Sequence, residues 1–267
     1  MAVRIALGIE YDGSGHCGWQ TQPSGQGIQD VLERAAGSIA GHRVSTICAG
    51  RTDAGVHALA QVVHFDTEAE RPVSAWVRGT NALLPAGVAV IWAQRVDAEF
   101  HARYSARERC YRYVLLNHPA RPALSHGRVG WFHAPLDVER MRAAAIPLLG
   151  EHDFSAFRSS ECQAKSPVRE LRRLEVERHG DYVVFDFSGN AFLHHMVRNI
   201  VGSLIYVGAG KKDAAWLGIL LAGRNRAAAA PTAASAGLYL TRVRYDVRWA
   251  LPDPGMRTPA FWIQQYT

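Results

Sequence analysis

The chain has 267 residues, enough for one large domain or two small ones with a real hydrophobic core. Hydrophobic residues make up 48% and charged ones 20%, an ordinary globular balance, and no run approaches the roughly 18 apolar residues of a membrane span. The net charge of +6 leans toward an anionic partner, although the arginines are spread rather than gathered into a basic tail.

The opening "VRIALGIEYD" reads as a strand, too soon broken by charge for a signal peptide. A helix follows over "GIQDVLERAAGSIAG", where Ile28, Val31, Leu32, Ala35 and Ile39 recur at helical spacing. "RVSTICAG" and "AQVVHFD" read as strands flanking a loop. "PVSAWVRGTNALLP" is a helix between Pro72 and Pro85, and "GVAVIWAQRV" a strand. After "DAEFHARYSA" the pattern restarts. "RERCYRYVLLN" is a strand and "LDVERMRAAAIPLLG" a helix broken late by Pro147. "VRELRRLEVERHG" and "DYVVFDFSG" form a hairpin turning at His179-Gly180-Asp181. "NAFLHHMVRNIVGSLIYVGAG" is a long helix capped by Asn190, and "GLYLTRVRYDV" a last strand. "EHDFSAFRSSECQAKSP" and "RNRAAAAPTAASA" are left as surface excursions.

The expected fold is therefore α+β: two ferredoxin-like β-α-β-β-α-β halves, residues 1–105 and 106–267. Their sheets are predicted to join as one continuous, mainly antiparallel sheet with helices on one face and a central cleft, where sites often form.

Several motifs divide between structural and chemical readings. Gly13-Ser14-Gly15-His16-Cys17-Gly18 is a literal G-x-G-x-x-G after a strand. "WQTQPSG" separates it from the next helix and no acid ends the following strand, so it fails as a dinucleotide fingerprint. Its glycines instead permit close backbone approach. The four cysteines lie far apart with no C-x-x-C pair, which argues against a zinc site or disulfide framework and suits a reducing, cytoplasmic setting. Of the twelve histidines, His194 and His195 point about 100° apart if helical, and His57 and His64 lack an evident third ligand, so no metal site is expected.

Asp53 sits alone between Gly50 and Gly55. It either caps its own turn or is a positioned catalytic carboxylate. Arg198 lies off the densest apolar stripe of its helix, on the side of Gly202, either snorkelling to water or holding a carboxylate. Tyr111 and Tyr113 share one strand face beside Arg109 and Arg112, as core residues or as a stacking surface for a base.

Taken together and in order, "YDGSGHCGWQTQP", "GRTDAGVHALAQVVHF", "FHARYSARERCYRYVLLN", "GEHDFSAF", "NAFLHHMVRNIVGSL" and "AGLYL" resemble the tRNA pseudouridine synthase A family from end to end. That resemblance implies an isomerase converting uridine to pseudouridine at positions 38–40 of the tRNA anticodon stem-loop, as a homodimer with no metal or organic cofactor. It implies that Asp53 is the catalytic nucleophile or base, Tyr111 the base-contacting tyrosine, and Arg198 the basic residue pairing with the aspartate. Arg51 would help keep the target nucleotide flipped out. A non-catalytic RNA-binding protein would not place an acid there, where it repels phosphate, and should carry an aromatic octapeptide that is missing. A carboxylate-dependent hydrolase would want a second acid beside Asp53, and the neighbouring motifs supply arginines.

Overall fold

A computed structural model describes residues 2–253, so residues 254–267 of the expected second half lie outside the described residues. The class is mixed α+β, as the sequence predicts. Contacts gather the described residues into two compact units: one runs to Arg107 and resumes at Tyr239, the other is Glu108–Leu238.

The first unit follows the predicted order. Strand β1 (Val3–Tyr11) is flanked on both edges, and Ile5, Ala6, Leu7 and Ile9 on its two faces are buried. Such a strand has little room for polar alternation. Helix α1 (Ile28–Ala40) starts where Asp30 accepts the Gly27 N–H at 2.9 Å and stops at Gly41, whose φ of 77° a glycine adopts without strain. The strand expected over 43–50 shrinks to β2 (Ile47–Cys48). Upstream, Thr46 gives its N–H and hydroxyl to the Glu33 carboxylate at 2.7 and 2.9 Å, which diverts that backbone from a ladder. Strand β3 (His57–Thr67) is longer than expected. Helix α2 (Val73–Leu83) ends at extended Leu84, the residue before Pro85, where α geometry is disfavoured. Strand β4 (Val88–Val96) pairs with β1 antiparallel, as β3 does on the other edge.

In the second unit, β5 (Ala106–Asn117) is followed by the short β6 (Gly130–Phe132). Helix α3 (Val138–Ala145) is capped by Asp137, which accepts the Arg140 N–H at 3.0 Å. It tightens into a 3₁₀ turn at Ile146–Leu148, around the Pro147 that the sequence marks as the break. Next come β7 (Gly150–Asp153) and the hairpin of β8 (Val168–His179) and β9 (Tyr182–Gly189), turning at Gly180 as expected. The segment taken as a surface excursion after Gly150 is not one: Phe154, Ala156 and Phe157 are buried around a 3₁₀ turn. Apolar side chains in so short a turn follow neither a 2.0 nor a 3.6 period, so pattern reading passes over them.

The helix expected from Asn190 begins six residues later, as α4 (Met196–Gly208). Asn190 is no helix cap. Its Oδ1 accepts the Glu170 and Ala191 N–H groups, tying the end of β9 to β8, and His195 takes a left-handed φ of 62° that interrupts helical continuation. Helix α5 (Trp216–Gly223) has no amphipathic signature in the sequence, because "WLGILLAG" is too uniformly apolar to show a face.

The chain then returns to the first unit through β10 (Leu238–Tyr245), parallel to β3 with Tyr239 opposite His57. The first unit's strand order is β4-β1-β3-β10, with β2 beside β3; the second's is β5-β9-β8-β7, with β6 parallel to β5. One core cluster of the first unit joins Ala6, Ala49, Val62, Phe100, Ala102 and Trp249, so the returning chain fills a core begun by β1. Among the described residues, no helix is long and apolar enough to cross a membrane.

Candidate active site

Asp53 lies on the loop between β2 and β3, half-buried, with Arg51 exposed two residues before it. Every turn of this loop is tied down. Ala49 N–H donates to the Val62 carbonyl at 2.8 Å, and the Gln61 side-chain amide donates to the Gly50 carbonyl at 2.6 Å. The Thr52 hydroxyl meets the Tyr11 hydroxyl at 2.8 Å, and its carbonyl accepts the Trp19 N–H at 2.9 Å. The Asp53 carbonyl accepts the Val56 N–H at 3.1 Å, closing a turn in which Gly55 has φ 76°. The backbone under the carboxylate is thus fixed by three neighbouring segments before any ligand arrives.

The glycine-rich loop that failed as a nucleotide fingerprint has a use here. A Cβ on Gly18, at φ 83°, would sit 2.9 Å from the Thr52 carbonyl oxygen and 3.0 Å from the Ala54 nitrogen. The close approach anticipated from its composition is an approach to the aspartate loop. On the same unit, burial pushes the Cys48 thiol up to about 12 while the Arg51 guanidinium pulls it down, so Arg51 acts electrostatically on the strand entering the loop.

His57 and His64 both lie buried on β3. Each Nδ1 is within reach of a backbone N–H, from Gly13 and from Ala102, both at 3.1 Å. Both rings are thus hydrogen-bonded to the backbone of the fold. Burial, with the nearby Arg4 charge, lowers the His64 pKa to about 4.

In the second unit, Tyr111 is buried on β5, opposite Phe187 of β9, with its ring edge-to-face against Phe192 at 5.0 Å. Phe192 belongs to the same motif as Arg198, and no sequence signal separates such an aromatic from a core residue. The Tyr113 hydroxyl donates to the Ala234 carbonyl at 3.0 Å. Burial pushes its phenol well up, while the Arg198 charge opposes that shift, so Arg198 is in electrostatic range of Tyr113. Of the flanking arginines, Arg112 makes a two-pronged pair with Asp186 at 2.8 and 2.7 Å, and Arg109 donates to the Asn190 carbonyl. Both serve the strand framework.

Arg198, half-buried in the first turn of α4, donates from Nε to the Ala233 carbonyl at 2.9 Å, and its own carbonyl accepts the Ala233 N–H at 3.1 Å. One turn on, a Cβ at Gly202 would fall 2.1 Å from the Pro231 carbonyl oxygen. The side of the helix carrying Gly202 is therefore where another backbone approaches, and residues 231–233 orient the guanidinium. His194 and His195 depart from expectation: neither is inside the helix, and their rings lie 4.0 Å apart. Helical geometry therefore does not hold the two rings apart.

A family model described as tRNA pseudouridine synthase matches residues 8–105 and 144–246. A tRNA pseudouridine synthase A of Thiobacillus denitrificans is 60% identical over 257 residues, 96% of this chain and 99% of that one. The protein of the same name from Chromobacterium violaceum is 59% identical over 252 residues, covering 94% and 96%. That from Albidiferax ferrireducens is 56% identical over 259 residues, covering 97% and 98%. Among solved structures, a chain of a Cbf5-Nop10-Gar1 complex aligns with 88% of this chain and 48% of its own at a TM-score of 0.40 and 12% identity, too slight a likeness to carry an argument.

Proposed function

Starting from the fact that the chain belongs to the tRNA pseudouridine synthase family, we propose that it isomerises uridines 38–40 in the anticodon stem-loop of tRNA, with Asp53 as the reacting carboxylate. The reaction is an isomerisation. The N1–C1′ bond breaks, the uracil turns, C5 bonds to C1′, the C5 proton leaves, and N1 takes up a proton. The target must first leave its stack, at a cost of a few kcal/mol, and Arg51 helps hold it out. The Asp53 carboxylate attacks C1′ or C6, or takes the C2′ proton. Arg198 pairs with that carboxylate, keeping it ionised and aimed. Tyr111 stacks on the uracil and relays the C5 proton.

The observation that carries this reading is the Asp53 loop: an acid in the "GRTDAGVHA" segment, on backbone pinned from Tyr11, Trp19 and Gln61. A carboxylate that serves only to cap a turn has no need of such a foundation, whereas a reacting one must be held in place before the substrate binds. In this reading residues 1–105 supply the aspartate loop and residues 106–267 the tyrosine and arginine. The enzyme acts as a cytoplasmic homodimer without metal or organic cofactor. The test is tritium release from tRNA carrying C5-tritiated uridine. Wild type should release tritium and Asp53→Ala should not; no release by wild type would overturn the proposal.

A further inference from the structure

The second unit carries a cavity of about 540 Å³ that does not include Asp53, Tyr111 or Arg198. Its size falls in the range of built ligand sites. Arg158, Arg226, Ser159, Ser160, Asn199 and Thr232 are among the residues lining it, and no lining residue is an acid. Both guanidiniums are oriented by protein acceptors. Arg158 donates from one terminal nitrogen to the Cys162 and Ala164 carbonyls, and Arg226 donates to the Ala230 carbonyl, Asn199 Oδ1 and Thr232 Oγ1. Among the described residues neither has a carboxylate within ion-pair distance, and each fork keeps donors these bonds do not use. The nearest acids are shared or exposed: Asp153 pairs with Arg224 at 3.4 Å and lies within electrostatic range of Arg158, and Glu161 is exposed.

Two further features add positive potential. Arg169, whose pKa is lowered first by burial and then by the charges of Arg158 and Arg109, buries an Nε with no hydrogen-bond partner among the described residues. The cavity also reaches the start of α4 at His195, where no side chain caps the helix and its positive end is presented.

Resting on the tRNA reading above, the geometry points to a phosphate-binding pocket: Arg158, Arg226 and the Ser159 and Ser160 hydroxyls hold one backbone phosphodiester of the tRNA. With one terminal nitrogen of each arginine spent on protein acceptors, the other terminal nitrogen and Nε keep donors for single charge-assisted bonds to phosphate oxygens. The serine hydroxyls add neutral donors, and carbonyl-anchored arginines lose little freedom on binding. A phosphodiester neutralised at a fixed point sets register without reading sequence, as such contacts do.

The test measures the affinity of an anticodon-arm RNA across a salt series. Ser160→Glu places a negative charge at the mouth without removing any hydrogen bond that shapes the pocket, and Arg158→Gln removes a positive one. Ser160→Glu should weaken binding about tenfold and flatten the slope of log K against log salt by roughly 0.7–0.9, one phosphate contact. Affinity and slope within twofold of wild type for Ser160→Glu would overturn the proposal, whatever Arg158→Gln does to the fold. A parallel titration with inorganic phosphate separates the two sources of the anion. A phosphate site abolished by Ser160→Glu while RNA affinity stays unchanged would also overturn it, in favour of a free anion. Wild type that binds the RNA but releases no tritium defeats the functional proposal alone, since this comparison reads affinity and not turnover.

Discussion

At the scale of single residues, each assigned role predicts a different kinetic loss. Asp53→Asn keeps the shape of the side chain and removes its nucleophilicity and basicity, so isomerisation should disappear while tRNA affinity holds. Activity within tenfold of wild type would contradict the assignment. Tyr111→Phe keeps the ring against Phe192 and loses the hydroxyl. If the hydroxyl relays the C5 proton, kcat should fall by about 10²-fold with binding little changed, and an unchanged kcat would leave Tyr111 as a stacking surface only. Arg198→Ala should cost nearly as much as loss of Asp53, whereas Arg198→Lys should keep a fraction, because charge survives and the planar fork does not. Equal activity for the two variants would remove the case for a guanidinium. His64 gives a pH signature. Its pKa is about 4 in the folded protein, below the ordinary histidine value of 6.5, so the unfolded chain binds the proton more readily. Stability should therefore rise with pH between about 4 and 6.5, at up to about 1.4 kcal/mol per pH unit, and be lost on acidification. Urea midpoints of wild type and His64→Gln at pH 4.5 and 6.5 measure this; identical pH dependence in both would refute it.

At the scale of elements, the catalytic proposal depends on two backbone approaches that only glycine permits. Gly18→Ala forces a Cβ against Thr52 and Ala54 at φ 83° and should destabilise by about 1–3 kcal/mol. The same change should lower kcat, because the disturbed backbone carries Asp53. Gly202→Ala drives a Cβ into the Pro231 carbonyl and displaces the segment that orients Arg198. Its expected signature is lost kcat with tRNA affinity retained, measured by single-turnover tritium release beside equilibrium binding. Full activity in either variant would show that the loop or segment tolerates displacement. The adjacent His194 and His195 rings make metal dependence worth measuring: activity should survive extensive treatment with EDTA, and loss restored by a divalent ion would overturn a metal-free mechanism.

At the scale of the whole molecule, a +6 chain bound to a polyanion should lose affinity steeply with salt, because phosphate contacts release condensed counterions. A flat plot of log K against log salt would send the search back to a small neutral substrate. Oligomeric state is checked by light scattering, with a mass of two chains expected.

The helices of the first unit could be read from the chain because α1 and α2 repeat their apolar residues at 3.6, and β1 and β3 because they are β-branched apolar runs bounded by loops, though buried on both faces without alternation. The Asp53 motif was legible for a different reason: glycines and an isolated acid in a charge-poor stretch mark backbone under constraint. What lies between periodic segments obeys no period. Phe154 and Phe157 are buried by what packs over a turn, α4 starts late because His195 takes a left-handed conformation, and β10 returns to pair Tyr239 with His57 of β3, far back in the chain. Local sequence determined which residues carry charge, aromatic rings and conformational freedom. Tertiary structure alone decided which carbonyl orients Arg198, which loop Gly18 supports, and that Arg158 and Arg226 line one cavity, because those relations depend on segments far apart in the chain packing against each other.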